Sequence, residues 1–72
     1  MSDKPVKKFR IGYVEAAIWE NEGNGDRTFH NVTLQRKYRD GDDVKNTNSF
    51  AHADLLNAAR LLQKCEAWIS DQ

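Results

Sequence analysis

Up to Phe50 the chain alternates between apolar and polar positions, and after it the period changes. In "FRIGYVEAAIWEN", Phe9 to Asn21, β-branched and aromatic residues recur at strand spacing, and Gly12 among them marks a bulge or bend that can split the strand in two. "EGNGD" is a turn signal, and "TFHNVTLQRKYRDGDDVKNTNSF", Thr28 to Phe50, alternates again on either side of a second one at Asp40-Gly41-Asp42. Beyond Phe50, Leu55, Ala58, Ala59, Leu62, Cys65 and Ile69 recur at helical spacing with no Gly or Pro between them. Asp54 falls in the first turn of that helix, where a carboxylate favours the positive end of the helix dipole. The pattern predicts a small α+β domain over residues 7–72: an antiparallel sheet of three to four strands with one C-terminal helix covering a face. Residues 1–6, polar and holding the only proline, are expected to be a flexible N-terminal arm.

Strand register decides which side chains share a face, because a slip of one residue exchanges the faces. Pairing Ile18 with His30 sets Ala16 opposite Val32 and Val14 opposite Leu34, which gathers small apolar residues under the helix. The other face then holds Trp19 across from Phe29, Ala17 across from Asn31 and Glu15 across from Thr33, followed by Gln35, Lys37 and Arg39. A three-residue loop at Asp40 to Asp42 brings Val44 level with Tyr38 and Phe50 level with Val32 on the helix side, and places Lys45 opposite Lys37. Two like charges so opposed imply either full solvation or a bound anion. Alternation sends Arg36 and Tyr38 to the helix side, where Arg36 needs a carboxylate or carbonyl partner; a bulge near the turn instead turns Tyr38 outward.

Composition narrows the chemistry. Lys+Arg and Asp+Glu balance at 11 each, so the formal net charge is zero, and only segregation of the basic residues onto one surface favours a polyanion. The lone cysteine, Cys65, makes no internal disulfide, no Cys/His cluster has metal-ligand spacing, and no signal peptide or membrane-length apolar run is present, which together predict a cytoplasmic protein without metal or cofactor. The aspartates around Gly41 read as turn chemistry, since their spacing is not that of an EF-hand loop. A Gly-rich phosphate loop needs a GK[ST] ending and a following helix, and neither is here. Cys65 lies on the apolar helical stripe, so with His30 and His52 the nearest to a catalytic set, an enzyme is not expected.

What remains is an open face with rings among cations. Such a face suits single-stranded nucleic acid, since each nucleotide brings a flat base and a phosphate. Trp19 and Phe29 are the expected stacking platforms, and Lys37, Arg39 and Lys45 the phosphate contacts, with Lys7, Lys8 and Arg10 extending the track. Ordinary cross-strand packing accounts for a Trp–Phe pair as well, and strand-end lysines also serve simply to solubilise an edge. The helix carries more apolar surface than one sheet face needs: Leu61 and Trp68 lie beside the main stripe, with Leu56 further round, and all three are expected to meet a second copy across a twofold axis.

"FRIGYVEAAIWENEG", "VTLQRKYRDGDDVK" and the amphipathic terminal helix resemble the single-stranded-DNA-binding domain of the transcriptional coactivator positive cofactor 4 and its small bacterial relatives. The resemblance covers nearly the whole chain after Lys7. It implies a curved antiparallel sheet, a homodimer joined largely through the helices, and binding of unpaired DNA across the sheets, with Tyr38 as the stacking aromatic at the strand end and Lys45 as the basic residue after the turn. Gln35 stands where the family pattern has a basic residue. The expected function is therefore non-catalytic, largely sequence-independent binding of single-stranded DNA or RNA in transcription or DNA metabolism. The alternative is a protein-interaction or structural homodimer without nucleic-acid binding.

Overall fold

The computed structural model describes residues 4–23, 25 and 27–72. Two hairpins sharing a long strand form a four-stranded antiparallel sheet, followed by one helix: β1 (Lys7–Ile11), β2 (Val14–Glu22), β3 (Thr28–Asp40), β4 (Asp43–Thr47), a 3-10 turn (His52–Asp54) and α1 (Leu55–Ser70). Spatial order follows chain order, so β1 and β4 are the sheet's edges. This is the expected α+β arrangement. The first three residues of the expected arm lie outside the described residues, and at its end the Val6 amide donates to the Ile18 carbonyl at 2.8 Å.

Gly12 makes a tight turn. With Ile11 paired to Val14, only Gly12 and Tyr13 connect β1 to β2, and Gly12 takes φ +59, the positive value a two-residue hairpin turn needs at its first position. The β3–β4 connection repeats the solution: Asp40 pairs with Asp43, leaving Gly41 at φ +65 and Asp42 as the turn. The expected three-residue loop is thus one residue too long. Between β2 and β3 the last pair is Glu22 with Thr28, and within that loop the Gly23 amide donates to the Arg27 carbonyl at 2.7 Å; Asn24 and Asp26 of the "EGNGD" signal lie outside the described residues.

The core is one layer deep. Val14, Ala16 and Ile18 of β2 are buried against Ala58, Leu61 and Cys65 of α1, and Phe9, Ile11, Val32, Leu34, Phe50, Trp68 and Ile69 close its margins. Helix and sheet therefore meet along positions 58, 61, 65 and 68/69, a stripe rotated from the one expected. Leu55 and Leu62, predicted for the core, are about half exposed, and Ala59 also faces out. Leu61, predicted for a dimer surface, is fully buried inside the protomer and leaves nothing for a second copy to cover. Trp68 is half-buried, its ring set edge-on to His30 at 6.2 Å. Leu56 does face outward, 84% exposed.

β3 is longer than the layer it supports. Its 13 residues, at about 3.3 Å each, run most of the 46 Å long axis, while α1 packs chiefly on β2 and β1. The far end of β3 and all of β4 therefore project past the helix as a two-stranded extension.

Candidate nucleic-acid interface

Directly paired residues of an antiparallel sheet point to the same side, so the register sorts every side chain. The face away from α1 carries Lys8 and Arg10 of β1, Glu15, Ala17, Trp19 and Asn21 of β2, Phe29, Asn31, Thr33, Gln35, Lys37 and Arg39 of β3, and Val44 and Asn46 of β4. Glu20, Glu22, Asp40 and Asp43 fall on the opposite side. A neutral chain has thus placed Lys8, Arg10, Lys37 and Arg39 together on one surface, with Glu15 as its only strand carboxylate among the described residues. β3 runs from Thr28 to Asp40 in unbroken alternation, which is what keeps Lys37 and Arg39 in line.

The expected pairing in the first hairpin is displaced by two residues. Ile18 pairs with Val32, Ala16 with Leu34 and Val14 with Arg36, because the connecting loop is longer than the pattern suggested. An even displacement preserves the faces but changes the neighbours. Trp19 lies opposite Asn31, not Phe29, and its indole Nε1–H donates to Thr33 Oγ1 at 3.0 Å, which pins the ring toward the middle of the face. Phe29 pairs with Asn21, is 52% exposed, and lies against Gly23, where a side chain would collide with the ring. The two expected platforms are on one face without forming a pair.

In the second hairpin the displacement is odd, and the faces of β4 exchange. Lys45 pairs with Tyr38 on the helix side and holds Asp40 Oδ2 at 2.9 Å, so it does not stand opposite Lys37 on the open face. Asn46 has that place, and Val44, expected on the helix side, joins the open face beside Arg39. Tyr38 likewise shares no face with Trp19. It is 38% exposed only because α1 stops short of it, and the Arg36 guanidinium sits over its ring at 6.0 Å. Arg36 has both kinds of partner that burial demanded: its Nε–H donates to the Ser49 carbonyl at 3.0 Å and lies 3.5 Å from Asp54 Oδ2.

The N-terminal cations divide by the same rule. Lys7 pairs with Ile18 on the helix side and rests its ammonium over Phe9 at 5.4 Å, outside the expected track. Lys8 and Arg10 stay on the open face. Lys8 and Lys37 each approach Glu15 at 3.8 Å, and Arg10 Nε–H donates to the Gly12 carbonyl at 3.0 Å. Among the described residues Arg39 has no ion pair and no side-chain hydrogen bond.

Two grooves follow from this layout. One, of about 350 Å³, has the buried Ala17 as its floor and Lys8, Glu15, Trp19, Thr33, Gln35 and Lys37 among its walls. Alanine makes the depression, since any larger residue there fills it. The other, of about 530 Å³, is a notch where β3 outruns the β1–β2 turn, lined by Arg10, Tyr13, Arg36, Lys37, Tyr38, Arg39 and Val44. Tyr13 was not anticipated as a site residue, although its place directly after a turn glycine marks it for exposure; its carbonyl accepts the Lys37 amide at 2.8 Å and its side chain is largely in solvent.

Cys65 is buried, and burial pushes its thiol pKa up, away from thiolate chemistry. No group of three metal-binding side chains occurs among the described residues, and no helix there is long and apolar enough to cross a membrane. No family model matches the chain, and it matches neither a curated protein nor a solved structure.

Proposed function

We propose that this protein binds single-stranded nucleic acid across the open face of its sheet, with no catalytic step and no cofactor. The observation that carries the reading is charge segregation: a chain of zero net charge sets Lys8, Arg10, Lys37 and Arg39 on the sheet face that carries Trp19, with Glu15 the one strand carboxylate there among the described residues, while the strand acids of the other side face away. Bases stack on every exposed ring without regard to sequence, and each phosphate neutralised releases counterions, so affinity tracks salt. The four cations less Glu15 leave a net of three, which for a single strand gives a slope of about −2 in log affinity against log salt. The resemblance to the positive cofactor 4 family supports the same reading, although Lys45 and Tyr38, the positions carried over from it, fall on the helix side.

Pairing of two copies belongs to this reading. Leu55 and Leu62, about half exposed, and Leu56, 84% exposed, form an apolar leucine row on α1 outside the stripe buried against the sheet, and a second protomer on that row would place two open faces in one particle. Titration of a fluorescein-labelled thymine 20-mer at 25, 100 and 250 mM salt, with solution mass measured in parallel, tests both parts. Binding that weakens as salt rises is expected. No binding at 25 mM removes the nucleic-acid reading and leaves the leucine row, with it the protein-interaction alternative, as the functional surface.

A further inference from the structure

The groove over Ala17 contains a feature that a surface for phosphates alone does not need. Glu15 stands within a cationic track, its side chain only 20% exposed, and the two ammonium groups beside it are both at 3.8 Å. That is close enough to balance charge and too far to hydrogen-bond. Arg10, directly across on β1, turns to the Gly12 carbonyl instead. Among the described residues no side chain donates a hydrogen bond to Glu15, so both carboxylate oxygens keep acceptor capacity at the wall of the groove.

The surroundings have the dimensions of a base site. Glu15 and Trp19 stand two residues either side of Ala17 along β2, about 7 Å each way, and the indole is held over that interval by its bond to Thr33. Gln35 pairs directly with Glu15 and brings an amide to the same wall. A base seated over Ala17 meets an aromatic ring on one side and, on the other, a carboxylate flanked by an amide.

Resting on the single-strand reading above, we infer that this groove selects guanine. Guanine presents N1–H and N2–H side by side on its Watson–Crick edge, and a carboxylate accepts both as two parallel charge-assisted bonds. Its neighbouring O6 is an acceptor, matching the amide of Gln35. Adenine and cytosine each set an amino group beside an unprotonated ring nitrogen, whose lone pair faces the second carboxylate oxygen. Thymine and uracil have a single N–H between two carbonyls that repel it. Only guanine satisfies both oxygens of Glu15 at once, so a base preference is laid over an otherwise sequence-tolerant contact.

The test uses the full chain and four labelled 12-mers: a thymine tract and three versions with one central guanine, cytosine or adenine, titrated by fluorescence polarisation at low salt. The guanine-containing strand is expected to bind about fivefold or more tightly than the others. Glu15→Gln should abolish that preference while the thymine tract binds as well as before or better, since a negative charge has left the track. Equal affinities for all four strands with the wild-type protein overturn the guanine inference and leave single-strand binding standing, as does a preference that survives Glu15→Gln. No binding of any strand overturns both.

Discussion

Truncating Leu61 to alanine tests how α1 sits on the sheet, and therefore which of its faces is free. The side chain is wholly enclosed by the row of Val14, Ala16 and Ile18. Removing it forfeits the transfer energy of the deleted carbons and leaves a cavity that a one-layer core closes only in part, together about 3–5 kcal/mol. At roughly 0.05–0.15 kcal/mol per residue, the whole domain has about 4–11 kcal/mol of stability. Leu61→Ala should thus remove about a quarter of it or more. Leu62 is one position along the chain but 47% exposed, so Leu62→Ala should cost only about 1 kcal/mol. Urea denaturation followed by far-ultraviolet circular dichroism, at two protein concentrations tenfold apart, measures both variants. A cost for Leu62→Ala that grows with concentration places a second copy on the leucine row. Equal costs for the two variants at both concentrations would refute the packing described, because they would mean that α1 buries Leu62 as deeply as Leu61.

Other substitutions read the remaining features. Arg39→Ala should reduce the magnitude of the salt slope for a single strand by about 0.7 without altering stability, whereas Lys45→Ala, on the helix side, should leave the slope unchanged; polarisation titrations compare them, and equal losses would mean that the strand does not follow one face. Arg36→Ala should destabilise by about 1–2 kcal/mol, since its Nε–H bond to Ser49 and its pairing with Asp54 tie the start of α1 to β3; chemical denaturation reads this. Gly12→Ala should cost about 1–2 kcal/mol, because φ +59 suits a residue without a side chain. Cys65 adds a pH dependence: burial holds its folded pKa above the unfolded value, so its contribution is fully present below the unfolded pKa and is lost as pH rises through the folded one, and Cys65→Ala should flatten that alkaline decline in denaturation midpoint.

The strand faces of β2 and β3 were legible from alternation alone, because the apolar residues at 14, 16, 18, 32 and 34 have only one side on which to be buried. Loop length was less legible. Glycines announce that a turn exists, but neither "EGNGD" nor "DGD" states how many residues close it. The first misjudged loop moved the pairing by two and cost only neighbours such as Trp19 and Phe29; the second moved it by one and sent Lys45 and Val44 to opposite sides. On the helix, leucine or alanine occupies so much of the circumference that periodicity admitted two stripes. The sheet chose the one in which Ala58 and Cys65 flank Leu61, since small residues let the helix approach β2 closely. Glu15 was placed correctly on the open face, but nothing in its spacing revealed a carboxylate without a donor.

Both margins of the sheet are poor templates for a further chain. β4 presents Asp43, Lys45 and Asn46 within five residues, and β1 has Lys7, Lys8 and Arg10 at three of its five positions, so an incoming strand would have to bury ammonium, guanidinium and amide groups to zip alongside. The molecule is thereby guarded against fibrous growth through its rims, and a second copy of the kind proposed above would have to use the leucines of the helix instead.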